Sequence, residues 1–348
     1  MVSKVEKEAL INRFFLVSGL AVAGIGCGGK DTPPNPVAPT NLTINVIIAT
    51  DNSGNVQFTA TASNATSFDY DLGNGIFQNS VSGSLTYRYP TSGNYTVNVV
   101  AKGATGLTTS KSLAVSVVVV QSLVWSDEFD LPGAPNALKW SYDVGAGGWG
   151  NNELQYYTNR LDNAIVSNGT LKIIAKAESF SGSSYTSARL LSRNKFSFQY
   201  GKMEVYAKLP VGVGTWPAIW MLGDNFTTVG WPTCGEIDIM EHKGADLNRI
   251  HSSLHYLGRS GGNPVTATTL IQNATSAFHL YSCEWSPQAI KFFVDGNLYH
   301  TVANTSALPF NQPFFIILNQ AMGGTFGGQI DPSFSTASFE IDYVRVYQ

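Results

Sequence analysis

Glu236, Asp238 and Glu241 set three carboxylates within the octet Gly235-Glu236-Ile237-Asp238-Ile239-Met240-Glu241-His242. Close pairs of carboxyl groups divide labour: an ionised one acts as nucleophile or base, while a protonated one gives its proton to a leaving oxygen. The interleaved apolar residues read as a strand, in which side chains alternate faces, so Glu236 and Asp238 share a face. Glu241, five residues beyond Glu236, is out of phase unless one extra residue is accommodated around Ile239-Met240. A β-bulge does this and returns all three acids to one surface. The glutamates would then approach to the roughly 5 to 5.5 Å at which a glycosidic bond is cleaved by double displacement. No Lys or Arg separates the charges, so they repel and shift one another's pKa. The competing readings are an exposed acidic edge and a calcium site.

Upstream lie Trp216-Pro217-Ala218-Ile219-Trp220-Met221-Leu222 and Trp231-Pro232. Together with the acid octet they resemble the signature of glycoside hydrolase family 16, in its laminarinase-like branch. Members without the bulge have one residue fewer between the glutamates. The resemblance runs from about Leu123 to Gln348. It implies that Glu236 is the nucleophile, Glu241 the acid/base, and Asp238 the hydrogen-bonding partner that holds the nucleophile's orientation and charge. It also sets His255, in Ser252-Ser253-Leu254-His255-Tyr256, beside the acids, where residue type alone suits a satisfied core histidine equally well.

Sugar rings present apolar C–H faces that the flat π surface of tryptophan binds without charge. Trp220, Trp231 and Trp216 are therefore candidates for substrate binding, with core packing as the alternative. In the same resemblance, Asn152 of Asn151-Asn152-Glu153-Leu154-Gln155-Tyr156-Tyr157-Thr158 and Arg189 of Ser187-Ala188-Arg189-Leu190 would hydrogen-bond sugar hydroxyls. Arg189 would equally suit a structural ion pair. Asn319, in Ile317-Leu318-Asn319-Gln320-Ala321-Met322, is a further candidate. Many family members bind one calcium away from the acids, and Glu128, Gly169 and Asp342 match those places. Oxygen ligands suit that hard ion, whose role would be to pin the chain ends. Catalysis itself would need no cofactor.

Composition narrows the class. Of 348 residues only 13% are charged, the formal net charge is −3, Gly number 34, and aromatics reach 12% with 7 Trp and 15 Tyr. Such a chain is neither disordered nor built for nucleic acid, and suits an exported β protein that meets neutral polymers. Of the three cysteines, Cys27 has its own explanation, which leaves Cys234 and Cys283 as either a disulfide pair or two buried thiols. No metal-binding spacing accompanies them.

The chain divides in order. Residues 1–27 combine Lys4, Lys7 and Arg13 with an apolar run from Phe14 to Gly26, too short to span a bilayer comfortably. Gly24-Ile25-Gly26-Cys27 resembles a bacterial lipobox, with Gly24 where Leu is usual, which makes Cys27 the lipidation site; an ordinary secretory signal is the alternative. Residues 28–40 carry four prolines and read as an extended tether. Residues 41–120 alternate short Val/Thr/Phe/Tyr runs with turn signals, as a small antiparallel sandwich does. Phe68-Asp69-Tyr70-Asp71-Leu72-Gly73-Asn74-Gly75 and Gly93-Asn94-Tyr95-Thr96-Val97-Asn98-Val99 there resemble the polycystic-kidney-disease (PKD) repeat, whose role would be spacer or weak glycan contact.

Residues 121–348 alternate almost throughout, with no convincing helical stripe, and predict one two-sheet jelly roll. The expected fold is therefore all-β, a jelly-roll catalytic domain behind a small PKD-like sandwich. The expected function is a retaining endo-β-1,3-glucanase acting on laminarin-type glucan, with mixed-linkage glucan as a further substrate. Rival readings are a hydrolase of red-algal galactan, a glucan transglycosylase and, last, a non-catalytic glucan-binding protein, since such proteins lose one of the acids. The expected setting is an exported, monomeric lipoprotein, held to the outer membrane or cell surface by its lipid.

Overall fold

A computed structural model describes residues 37–348. The expected signal peptide with Cys27, and most of the tether, lie outside the described residues. No helix among them is long and apolar enough to cross a membrane.

The first body is a two-sheet sandwich. Thr40–Ile48, Asn55–Ser63 and Ser84–Arg88 form one sheet, and Phe77–Ser80, Ser67–Asp71, Gly93–Lys102 and Thr108–Val117 the other. Period-two alternation sends Val56, Phe58 and Ala60 from one sheet, and Val97, Val99 and Ala101 from the other, into a shared core. Tyr70 and Tyr89 are fully buried there, each hydroxyl donating to a backbone carbonyl, of Gly83 and Leu72 respectively, which removes the cost of burying it.

The second body is a larger sandwich. One sheet is organised around Gly201–Lys208, paired on one side with His279–Trp285 and on the other with the last strand, Thr336–Tyr347. Leu123–Asp127 also pairs with the last strand, so the two ends of this body close on each other. A hairpin joins Ala289–Val294 to Asn297–Ala303 through Asp295 and Gly296, both at positive φ (50° and 76°), as a tight primed turn requires.

The facing sheet positions the acids. In chain order its main strands are β1 (Ser141–Asp143), β2 (Arg189–Leu191), β3 (Thr215–Gly223), β4 (Glu236–His242), β5 (Arg249–His255), β6 (Val265–Leu270) and β7 (Phe314–Met322), with the two-residue Ser197–Phe198 added against β7. They lie side by side as β6-β5-β4-β3-β7-β2-β1. Ile316 and Leu318 of β7, Ile219 and Met221 of β3 and Ile237 of β4 meet Val205, Phe292, Ile341 and Val344 of the opposite sheet between the layers. Phe314, fully buried against Trp285 and Phe310, belongs to the same core, and its truncation to Ala would cost about 3 to 5 kcal/mol. Among the described residues, helix is confined to single turns such as Phe226–Val229 and Gly324–Gly327.

Cys234 and Cys283 are both free and buried. Cys234 belongs to a cluster with Leu222 and Phe315, while Cys283 lies in the main core on the opposite sheet. Of the two sequence readings, the buried thiols hold. Burial pushes the Cys234 thiol up to about 11, which disfavours the thiolate.

Candidate active site

β4 carries the bulge that the spacing of the acids predicts. Against β3, Ile219 pairs with Met240 and Trp220 with Asp238, leaving Ile239 as the extra residue. Against β5, Asp238 pairs with Ser253 and Glu241 with His251, again with one residue too many on β4. Ile239 and Met240 both enter the inter-sheet core, which consecutive residues of a regular strand cannot do. Glu236, Asp238 and Glu241 are thereby left together on the outer face. Glycines bracket the strand: Gly235 takes φ 80°, and a Cβ on Gly244 would stand 1.8 Å from the Gly212 carbonyl oxygen, so the chain passes closely there only without a side chain.

Each glutamate receives its own indole. Trp231 donates through Nε1 to Glu236 Oε2 at 2.9 Å, and Trp216 donates through Nε1 to Glu241 Oε1 at 3.1 Å. Ser253 adds a weaker hydroxyl contact to Glu241 Oε2 at 3.4 Å. His255 approaches from β5, with Nε2 3.2 Å from Asp238 Oδ2 and 3.9 Å from Glu236 Oε1. Its Nδ1 accepts the backbone N–H of Gly261, which fixes the ring proton on Nε2, facing the acids. Glu236, Asp238 and His255 lie close enough together to suggest a metal site, but a nitrogen that carries a proton offers no lone pair to a cation. The cluster is built for proton and charge management.

Burial raises the pKa of all three acids. The charge of Asp238 pushes Glu236 up further, and the charge of Glu241 does the same to Asp238, while His255 and the two indoles pull the glutamates back. Asp238, 3% exposed, lies between the other two in the octet and is pushed up by burial and by the charge of Glu241. His242, next along the strand, is buried on the core side, where burial keeps its pKa low and the ring neutral.

Strand register extends the site sideways. Glu241 lies opposite Ala218 of β3, Ala218 opposite Asn319 of β7, Asn319 opposite Arg189 of β2, and Arg189 opposite Asp143 of β1. Directly paired residues point to the same face, so these side chains form one row running across the strands. Trp220, on the same face of β3, donates through Nε1 to Asn319 Oδ1 at 2.7 Å. Arg189 pairs with Asp143 at 3.1 Å and lies over the rings of both Trp220 (4.7 Å) and Trp149 (5.1 Å). The ion-pair reading of Arg189 is thus met in the structure without removing it from the row.

The tryptophans separate by exposure. Trp231 is 46% exposed and Trp220 half-buried, so both keep a face for a ligand. Trp216 is buried under Phe326, with ring centroids 5.1 Å apart, and differs from the open platform expected of it: it reaches the site through its N–H. Asn152 stands apart from the row. It is exposed at φ 57°, in the turn that leads to Glu153, and makes no hydrogen bond among the described residues. Residues not singled out from sequence are Ser253, Gly261, Asp143, Trp149 and the chain Glu153, Gln155, Tyr157. The last three alternate at period two, which was the available sign that they share one face.

The residues expected to hold calcium lie on neighbouring segments of the other sheet. Leu171 lies opposite Ile341, which brings the turn holding Gly169 to the Asp342 end of the last strand, and Glu128 follows the strand paired with that same segment. Arg345 donates to both carboxylate oxygens of Glu128, at 3.0 and 2.7 Å. The pKa of Asp342 is raised by burial and by the charge of Glu128. Oxygen donors with negative charge only partly compensated fit a hard divalent cation.

Comparison with known proteins agrees with this geometry. The family model for glycosyl hydrolases family 16 matches residues 151–345, and that for the PKD domain residues 41–117. A β-glucanase of Rhodothermus marinus is 47% identical over 246 residues, covering 65% of this chain and 85% of that protein. The crystal structure of the laminarinase from Rhodothermus marinus superposes with a TM-score of 0.64 at 47% identity, covering 66% of this chain and 98% of that one. The catalytic domain of an endo-1,3-β-glucanase (laminarinase) from Thermotoga petrophila RKU-1 gives 0.62 at 41% identity, with coverages of 66% and 98%.

Proposed function

The chain belongs to glycosyl hydrolase family 16, and from that premise we propose that this glycoside hydrolase is a retaining endo-β-1,3-glucanase that cleaves laminarin-type glucan, and mixed-linkage glucan as well. The observation that carries the reading is the bulge at Ile239, which turns Glu236 and Glu241 to one face with Asp238 between them.

In the first half-reaction Glu241 gives its proton to the glycosidic oxygen while Glu236 attacks the anomeric carbon, forming a covalent glycosyl-enzyme. In the second, ionised Glu241 takes a proton from water, the water attacks the same carbon, and Glu236 leaves with the β configuration restored. Burial suits Glu241 to holding its proton until the bond is ready to break. Asp238 shares a proton with Glu236 and, with the Trp231 and His255 N–H groups, favours the anion that attacks. Trp231 and Trp220 offer aromatic faces to sugar rings, Arg189 offers a hydrogen-bonding edge next to them, and Asn319, expected to meet the sugar itself, is buried with both ends of its amide engaged and acts on the subsite through Trp220.

The remaining assignments belong to the same proposal. A calcium ion would be held by Glu128, the Gly169 carbonyl and Asp342, pinning chain ends. Cys27 is acylated after export, so the mature, monomeric protein sits on the outer membrane or cell surface, with the PKD domain as spacer. Cys27→Ser should release the enzyme from membranes; a wild type already soluble in the medium would end the lipoprotein reading. Initial rates on laminarin, lichenan, agarose and carrageenan test the substrate. The expected order is laminarin first and lichenan second, and a preference for either algal galactan would overturn the glucanase reading.

A further inference from the structure

We infer that Glu153 is a positioning residue that sets the orientation of Trp220 through a directed hydrogen-bond chain, Trp220 to Asn319 to Tyr157 to Glu153, and so shapes the sugar subsite at Trp220. The identity of the sugar rests on the glucanase reading; the chain itself does not.

Glu153 is 8% exposed, and no step of the proposed chemistry uses it. A buried carboxylate must be satisfied by donors. It has three: Gln155 Nε2 at 2.6 Å and the Tyr157 hydroxyl at 3.0 Å both donate to Oε2, and Asn151 Nδ2 donates to Oε1 at 3.3 Å. Gln155 cannot turn its amide round, because its Oε1 accepts the Met322 N–H at 2.7 Å. The carboxylate, an acceptor only, therefore sets the direction of every bond between it and Trp220. Tyr157, fully buried, spends its one proton on Glu153 and presents oxygen lone pairs to Asn319 Nδ2, 2.9 Å away. That choice fixes the Asn319 amide: with its NH2 toward Tyr157, its Oδ1 faces the cleft side and accepts the Trp220 N–H at 2.7 Å. Were Tyr157 to donate to Asn319 instead, the amide would flip and set an N–H against an N–H. Burial raises the Glu153 pKa against the pull of its donors and of the nearby Arg189 charge, so the direction of the chain rests on the donors gathered at the carboxyl, with Gln155 pinned by Met322. Arg189, over the face of Trp220 and tied to Asp143, completes the clamp from the other side.

Tyr157→Phe removes the relay hydroxyl with Glu153 intact, Glu153→Leu removes the acceptor, and Glu153→Gln keeps an acceptor oxygen at the position of Oε2. In the full chain labelled with 5-fluorotryptophan, the Trp220 resonance is assigned by its loss in Trp220→Phe. Tyr157→Phe and Glu153→Leu should shift or broaden that resonance. On laminarin they should raise KM by about fivefold, the worth of roughly one neutral hydrogen bond, with kcat lowered less. Glu153→Gln should return both readouts most of the way to wild type. An unmoved Trp220 resonance in folded Tyr157→Phe, or a fall in kcat with KM unchanged, would overturn the inference. If Glu153→Leu does not fold, Tyr157→Phe alone decides. A wild type inactive on β-glucan would overturn the substrate reading, while the fluorine spectrum would still decide the chain.

Discussion

The Gly261 backbone N–H donates to Nδ1 of His255 at 3.2 Å, so the opposite edge of the ring offers its proton to Asp238 and Glu236. A loop outside the acid strand thus decides which way a histidine on the neighbouring strand points its proton. His255 lowers the pKa of Glu236, so His255→Ala should raise it. Glu236 must be ionised to attack, so the acidic limb of kcat/KM should move to higher pH. His255→Gln, which keeps an N–H, should move it less. A limb that stays in place in His255→Ala would sever the link between this ring and the nucleophile.

Folding raises the pKa values of Glu236, Asp238 and Glu241, so between the unfolded and folded values the native state binds more protons than the unfolded chain. Stability therefore falls as pH rises through that window, and the cost is absent below the unfolded pKa values. Asp238→Asn should be more stable than wild type at pH 8 by about 1 kcal/mol or more, with the difference closing toward pH 4. Urea denaturation at the two pH values measures this, and equal curves at pH 8 would count against it. Activity should fall in the same variant.

Glu236→Gln and Glu241→Gln should each lower turnover on laminarin by about a thousandfold or more while leaving the fold intact. With an activated aryl glycoside, whose leaving group needs no proton, added azide should accelerate Glu241→Gln and give the β-glycosyl azide. In Glu236→Gln azide enters from the vacated side and should give the α product. An α anomer as the first sugar released by wild type, read by NMR, would exchange the retaining mechanism for an inverting one.

If calcium is held by Glu128, Gly169 and Asp342, chelation should lower the melting temperature without lowering initial rates measured below it. At a hundredfold excess over its dissociation constant, an ion contributes about 2.7 kcal/mol. Asp342→Asn should abolish the calcium-dependent shift. A melting temperature indifferent to chelator and calcium would remove the ion from the account.

The acid strand was legible because its information is local: an odd spacing between two glutamates on an apolar alternation demands a bulge, and Ile239 supplies it. The strands and the two sandwiches were legible for the same reason. Trp216 and Trp220 could not be told apart, since four residues of one strand separate them and they share a face. What buries one and spares the other is Phe326, more than a hundred residues away. Arg189 with Asp143, and Cys234 apart from Cys283, likewise depend on which strands become neighbours. Glu153, Gln155 and Tyr157 carried a visible period, but nothing in it named Asn319 as their partner.

Residues 121–348, expressed alone, should fold and keep full activity on soluble glucan. Every acid, aromatic face and calcium donor of the proposed enzyme lies within them, and so does the main core. A folded but inactive fragment would show that the smaller sandwich lends something to catalysis.

Ser122 and Gln348 exchange two backbone hydrogen bonds, at 2.9 and 3.0 Å, so the chain enters and leaves the larger body at one point. Such a body admits circular permutation. A short linker joining Gln348 to Ser122, with new termini opened in the Asp295-Gly296 turn, should leave the row from His251 to Asp143 undisturbed. The same adjacency lets the whole body be spliced into a loop of an unrelated host, as a cassette that loads its neighbour at one place instead of stretching it across two.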